Sequence, residues 1–313
     1  MIQQFMQNNL TIIPSYAPTL LYLKLSVENI NESKIMDLIS AGYIALTDSI
    51  RRYKIKALLL SLADLNSNIT IFNKFSRDLF LLAKIYNVHI VLDSGCLEYF
   101  MVSRDHIDHI GLSSEIEDPY INLKNQLKFL PNIAILPDRP NDVEENIKIL
   151  YMREIEHLLS EAKKKGTKLA YVIHGIYPLS EFYSNLMKVL KAPLLSYIDY
   201  ICIPEKELNM YKKDEIIKLI SFTSNRLSKK LAILGLKLMN KDKLSIYKKL
   251  NIRWCDTIKW NHKVLRLLRG SIIYDDIQTA AYLDLISILK SNLDIISELV
   301  NIIGRAVNNH QDA

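Results

Sequence analysis

The chain has 313 residues, 49% hydrophobic and 24% charged, with a formal net charge of +6. That composition is ordinary for a folded globular protein and excludes a disordered or fibrous chain. No apolar run approaches the roughly 20 residues of a membrane-spanning helix. The first residues, Met1 to Met6, lack a cationic stretch leading into an apolar one, so neither membrane association nor secretion is expected, and a cytoplasmic location is.

After a polar, Pro-containing lead-in through Pro18, Leu20–Leu25 is an apolar run of strand length. Asn31 then caps a helical pattern of Ile35, Leu38, Ile39, Tyr43 and Leu46. A second strand is expected over Ile55–Leu62, a helix over Phe72–Tyr86, and a third strand over His89–Asp93. An irregular acidic segment from Met101 to about Tyr120 is longer than an ordinary connection, as lids and binding loops are. Asn132–Asp138 reads as a fourth strand, and Asn141-Asp142 as the cap of one long helix ending near Lys165, where Gly166 stops it. The remaining strands are expected over Lys168–Ile173, Asp199–Ile203, Lys230–Gly235 and Ile252–Asp256, with a helix over Ser180–Leu190.

Eight short apolar strands alternating with helices predict an α/β chain folded as a (β/α)8 TIM barrel, at a length where such barrels usually need about 250 residues. A single domain over 1–313 is expected, with the barrel at about 19–270 and a helical extension at about 271–309. One side of that extension carries Leu283, Ile286, Leu289, Leu293, Ile296 and Val300, a face for packing on the barrel or for a homodimer seam.

Such a barrel gathers the carboxyl ends of its strands at one mouth, here Asp93, Asp138, His174, Glu205, Gly235 and Asp256. Any single Asp at a strand end is as readily a helix N-cap, but Asp93, Asp138 and Asp256 together point to a site. Cys96, Cys202 and Cys255 are too scattered for a disulfide framework or a zinc cluster. Cys202 reads as a buried apolar residue, and Cys96 and Cys255 as neighbours of the site. Between Arg226 and Gly270 there are thirteen cations against Asp242 and Asp256, a balance that suits a phosphate backbone, with Lys237, Lys259, Lys263, Arg266 and Arg269 as candidate contacts. The other reading of such a run is a set of solvated helix faces.

The ordered series Leu92-Asp93-Ser94-Gly95, Leu136-Pro137-Asp138, Val172-Ile173-His174-Gly175, Tyr200 to Pro204, Leu234-Gly235-Leu236 and Cys255-Asp256-Thr257 resembles the motifs of the tRNA-guanine transglycosylase superfamily. It resembles most the smaller members linked to 7-deazaguanine in DNA, and the match spans about Ile90 to Gly270. The resemblance implies exchange of guanine for a 7-deazaguanine base in DNA or tRNA, with no cut in the phosphodiester chain. Asp256 matches the nucleophile and Asp93 the acid/base carboxylate, the first kept ionised near cations and the second shifted by a drier setting. Asp138 would accept from the base edge, and Ser94, Gly95, His174, Gly175, Pro204 and Gly235 would line the pocket. The target base would first be flipped out of its stack.

Three departures stand out. His174 occupies a position where the tRNA enzymes usually have Gln, so it donates one hydrogen bond but lacks the amide's donor–acceptor pair. Cys96 follows Gly95 in place of a second small residue. No Cys follows Cys255, so the zinc cluster of the tRNA enzymes is not expected, and no cofactor is. Two alternatives stay open: an N-glycosidase in which water replaces the incoming base, and a barrel that binds nucleic acid without catalysis. A Schiff-base lysine at Lys206, after the sixth strand, is a weaker third.

Overall fold

The computed structural model describes residues 10–27, 31–53, 55–105, 117–139, 142–175, 177–235 and 241–257. The expected C-terminal helical extension, most of the acidic segment and the candidate phosphate contacts Lys237, Lys259, Lys263, Arg266 and Arg269 lie outside these residues.

Eight parallel strands close on themselves in sequence order: β1 (Thr11–Tyr16), β2 (Ala57–Ser61), β3 (His89–Asp93), β4 (Ile133–Ile135), β5 (Lys168–Val172), β6 (Tyr200–Pro204), β7 (Lys230–Leu234) and β8 (Trp254–Thr257). The expected TIM barrel is therefore found, closed by β8 pairing with β1 through Thr11 opposite Trp254 and Ile13 opposite Asp256. After β1 come α1 (Pro18–Val27) and α2 (Glu32–Tyr53), and after β2 come α3 (Leu62–Leu65) and α4 (Thr70–Ile85). Next are α5 (Cys96–Asp105) and α6 (Pro119–Lys128), then α7 (Val143–Lys148) and α8 (Glu156–Lys164). The last are α9 (Leu179–Leu190), α10 (Glu205–Leu208), α11 (Lys213–Leu227) and α12 (Lys241–Lys249).

The first strand is not where the apolar run predicts it. Leu20–Leu25 lies inside α1, and β1 is Thr11–Tyr16, within the stretch read as a lead-in. A short apolar run carries no period that separates a buried helix from a buried strand. Here Pro18 at the first helical position starts the helix, and Asp64 completes the end by accepting from the Thr19 N–H at 2.8 Å. Two further expectations change. The start of the acidic segment is helix α5, and the single helix expected to run to Lys165 is broken into α7, two 3-10 turns at Ile149–Tyr151 and Arg153–Ile155, and α8. The break buries Ile149, Leu150 and Ile155, and no Pro or Gly in that stretch announces it.

Alternation along each strand sorts residues into two sets. Ile13, Leu59, Val91, Ile135, Val172, Cys202, Ala232 and Trp254 fill the barrel interior, with Tyr200 edge-on to Trp254 at 6.1 Å between ring centres. The alternate residues, among them Ile12, Ile90, Leu169, Ile201 and Cys255, face the helices. One step of two beyond each interior residue carries Ser15, Ser61, Asp93, Pro137, His174, Pro204, Leu234 and Asp256 to the C-terminal end of the barrel. Among the described residues, no helix is long and apolar enough to cross a membrane.

Candidate active site at the carboxyl ends of the strands

Asp256 lies on β8 itself, two residues beyond Trp254, and is 6% exposed. Its Oδ2 accepts from Ser15 Oγ at 2.9 Å and its Oδ1 from the Gly235 N–H at 2.7 Å. Burial lifts its carboxyl to about 6, while the Gly235 N–H and the Ser15 hydroxyl pull the other way. The expectation that cations keep Asp256 ionised is corrected for the described residues: its partners are a hydroxyl and a backbone amide, and the charge acting on it is the Glu205 carboxylate, which raises it further.

Asp93 ends β3 and is partly exposed. Burial comes first, then the carboxylates of Glu98, Asp138 and Asp256, and together they hold it well above the usual carboxylate range, against the Gly95 N–H that donates to Oδ2 at 3.3 Å. Asp93 and Asp256 thus face the same axis and feel each other's charge. Cys202, beneath them in the interior, has its thiol raised by burial and then by the charges of Asp256, Asp138 and Asp93. Cys202 is buried as expected, though under the site, and Cys96 stays beside the site, its thiol raised by burial and then by Asp138; Cys255 departs from the expectation and points outward into the helix layer with Tyr247.

His174 follows β5, and both of its ring nitrogens are engaged. Nε2 is 2.8 Å from Asp138 Oδ2 and Nδ1 is 2.9 Å from Glu207 Oε1. Only an imidazolium donates from both nitrogens to two carboxylates. Burial works against that charge, but the two hydrogen bonds outweigh it and raise the ring to about 9. His174, expected from the motif as a base-edge contact, thus spends both ring nitrogens bridging Asp138 and Glu207 as a cationic brace. Ser94 is likewise fully buried and serves Asp138, donating to its Oδ1 at 3.4 Å.

Two glycines expected to line the pocket act as packing joints. Gly95 has φ +76, and a Cβ there would sit 2.6 Å from the Ala63 backbone nitrogen and 2.7 Å from the Ala63 Cβ. Gly175 has φ +66, its missing side chain giving room to Val143 and Asn185, and its carbonyl accepts from Asn185 Nδ2 at 3.2 Å. Gly95→Ala combines a left-handed backbone with a clash against α3, so a loss of about 2–4 kcal/mol is expected, read as a melting midpoint lowered by several degrees. Gly235 serves the site through its N–H on Asp256, and Pro204 ends β6 partly exposed at the same rim.

Several functional residues escape sequence reading. Ser15 was hidden by the misplaced first strand. Glu207 sits on α10, a single turn after β6, and nothing in its local pattern links it to His174, 33 residues away. Asn122 and Gln126 on α6 are buried amides one turn apart: Asn122 Nδ2 donates to the Ser94 carbonyl at 3.0 Å, and Gln126 Nε2 donates to Asn122 Oδ1 and to the Ile135 carbonyl, each at 2.9 Å. They tie the ends of β3 and β4 together. Asn146 does the same for the turn after Asp138, its Nδ2 donating to the Arg139 carbonyl at 2.8 Å. Behind Asp93, Asp64 and Glu98 are buried carboxyls, and burial and then Glu98 hold Asp64 well above its usual range.

No family model matches the chain, and no curated protein matches it. Solved structures do. A protein from Coccidioides immitis assigned as a fructose-1,6-biphosphate aldolase aligns with a TM-score of 0.53 at 10% identity, over 92% of this chain and 91% of that one. The YdjI aldolase from Escherichia coli K12 aligns at 0.48 and 12% identity over 92% and 93%, and a mutant tryptophan synthase alpha-subunit from Pyrococcus furiosus at 0.44 and 11% over 91% and 100%. Likeness at such identity establishes the barrel and leaves its chemistry to the residues at the mouth.

Among the described residues, the cations of the basic run fall at both ends of the barrel, and the candidate contacts Lys237, Lys259, Lys263, Arg266 and Arg269 lie outside them. Arg226, Lys229 and Lys230 fall where α11 ends and β7 begins, and Lys248, Lys249 and Arg253 where α12 ends before β8, all at the N-terminal end of the barrel. Lys243, at the start of α12, is at the mouth, where it donates to Glu205 Oε1 at 2.7 Å. A β/α unit sends the two ends of each helix to opposite ends of the barrel, which divides any such run.

Proposed function

We propose that this barrel is a glycosyltransferase that exchanges guanine for a 7-deazaguanine base at a nucleoside of DNA or tRNA. The observation that carries the reading is the pair of inward-facing carboxyls in unlike settings, Asp256 held by a hydroxyl and a backbone amide and raised to about 6, and Asp93 raised by burial and by the carboxylates of Glu98, Asp138 and Asp256. A pair set apart in this way by its surroundings divides into a base or nucleophile and an acid.

The reaction starts with Asp256 as a carboxylate and the proton on Asp93, the group whose three carboxylate neighbours favour the neutral form. An Asp256 oxygen attacks C1′, the bond from C1′ to the base nitrogen breaks, and its electron pair leaves on the base, which takes the proton of Asp93. The sugar is then an ester of Asp256. The incoming base gives its ring N–H proton to the Asp93 carboxylate, its nitrogen attacks C1′, and Asp256 departs as a carboxylate. Two inversions give net retention. Asp138, braced by His174 and Ser94, is kept an acceptor, which suits the ring N–H and exocyclic amine of a guanine-like edge. Both ring nitrogens of His174 are occupied, so the base is read by Asp138 rather than by His174. The N-glycosidase and the non-catalytic binding barrel are the competing readings of the same mouth. A Schiff base at Lys206 has no support in the geometry, since that side chain is exposed.

The test is incorporation of radiolabelled guanine and of 7-cyano-7-deazaguanine into duplex DNA, single-stranded DNA and bulk tRNA. Label entering one polymer without strand cleavage is the expected result. Release of guanine with no label incorporated would replace exchange by hydrolysis, and neither release nor incorporation would leave a binding protein.

A further inference from the structure

The opposite end of the barrel carries a second concentration of charge. His89, Lys168 and Lys230 each start a strand and precede interior residues Val91, Ala170 and Ala232 by two positions, so all three point toward the barrel axis. The floor beneath them is the Tyr200 ring, with Lys230 Nζ 5.8 Å from its centre. Around this trio stand Lys163 at the end of α8, Lys229 beside Lys230, Arg226 at the end of α11, and Lys248 and Lys249 at the end of α12.

Cations in the last turn of a helix complement its dipole, and that accounts for Lys163, Arg226, Lys248 and Lys249. It does not account for His89, Lys168 and Lys230 at the strand starts. The two lysines repel one another, Lys168 being held below the ordinary lysine value by burial and then by Lys230, while burial and then Lys168 favour the neutral ring of His89, which can donate to a phosphate without adding to that repulsion. Lys229 is lowered by burial and then by Lys163. Asp199 favours the charge of both Lys168 and Lys229, but one of its oxygens is already committed to the Leu169 N–H at 2.9 Å.

We infer that the N-terminal end of the barrel, centred on His89, Lys168 and Lys230 and rimmed by Lys163, Lys229 and Arg226, binds the phosphate backbone of a nucleic acid. A row of phosphates relieves the repulsion among converging cations and adds counterion release. An anionic membrane is the poorer fit. Basic membrane-binding surfaces interleave apolar side chains with the cations; here, among the described residues, the exposed large apolar side chains near this end are set apart from the trio, Leu81, Ile85, Tyr86 and Leu130 on the β2–β4 side and Met187 in the last turn of α9. This surface is remote from the mouth and does not rest on the exchange chemistry. It would hold a polymer while the mouth acts on a base.

The test is fluorescence anisotropy of the full chain with a fluorescein-labelled 20-nucleotide strand and its duplex from 50 to 200 mM salt, comparing wild type with Lys168→Gln/Lys230→Gln. The double variant is expected to bind at least tenfold more weakly at 50 mM salt, with a plot of log affinity against log salt shallower by about two. Neutralising two mutually repelling cations leaves the fold intact, which a circular dichroism melt checks. Asp256→Asn is expected to bind as wild type does, which separates failure of this surface from failure of the proposed chemistry. Unchanged affinity and slope in the double variant would overturn the inference, as would a wild type that sediments with phosphatidylserine vesicles but binds no oligonucleotide.

Discussion

Asp256→Asn is expected to abolish base exchange, by at least about 10³-fold, while the protein melts no lower than wild type at pH 8. The two halves of that result come from one setting. An amide oxygen cannot form the ester with C1′, so the first displacement has no nucleophile. The carboxylate is also a burden on the fold: a shift from 3.8 to about 6 means that keeping Asp256 ionised in its buried place costs about 3 kcal/mol. Asn removes that cost and can still accept from Ser15 or from Gly235, though not ideally from both. A residue retained for structure would show the reverse pattern. If Asp256→Asn melts well below wild type and keeps its activity, Asp256 is a structural residue and the nucleophile lies elsewhere.

Stability is expected to fall steadily as pH rises from 5 to 9, unlike a protein dominated by exposed salt bridges. Asp256 holds its proton to about pH 6 when folded but only to about 4 when unfolded, so the folded state binds more protons between those values and stability declines across them. Asp93 and Asp64, both raised, act with the same sign. His174 adds to it: its folded value of about 9 lies above the unfolded 6.5, so its stabilisation is full below about 6.5 and lost as pH passes 9. For His174 alone the change is on the order of 3 kcal/mol. Urea unfolding at pH 5, 7 and 9 measures it, and a midpoint that rises toward pH 9 would refute the charged His174 brace. His174→Gln should flatten the pH 7 to 9 limb selectively, because it removes the group that titrates there.

The barrel was legible because seven of its eight strands are short apolar runs, several of them ending at or just before a polar residue, and their number separates a closed barrel from an open sheet. The eighth, Thr11–Tyr16, was not, because Pro14 and Ser15 read as loop and Leu20–Leu25 as strand. Strand-end carboxylates were legible for the same reason, since position along a strand fixes which side chains face the mouth. Partnerships were not. That His174 joins Asp138 to Glu207, or that Ser15 reaches Asp256, depends on which elements become neighbours, and residue spacing carries no trace of it. The described part of the basic run shows the opposite effect: residues close in sequence are parted, because each helix carries the chain from one end of the barrel to the other.

The hydrogen bond from Ser15 to Asp256 spans 241 residues and joins the first strand to the last. Loop closure over such a span comes late in folding, after the local β/α units have formed. A chain still emerging from the ribosome, or one whose eighth strand has peeled away, therefore lacks the Ser15 brace on Asp256. The geometry around Asp256 is thereby coupled to the closing seam of the barrel, and any chemistry the proposed exchange places there requires the finished ring of strands.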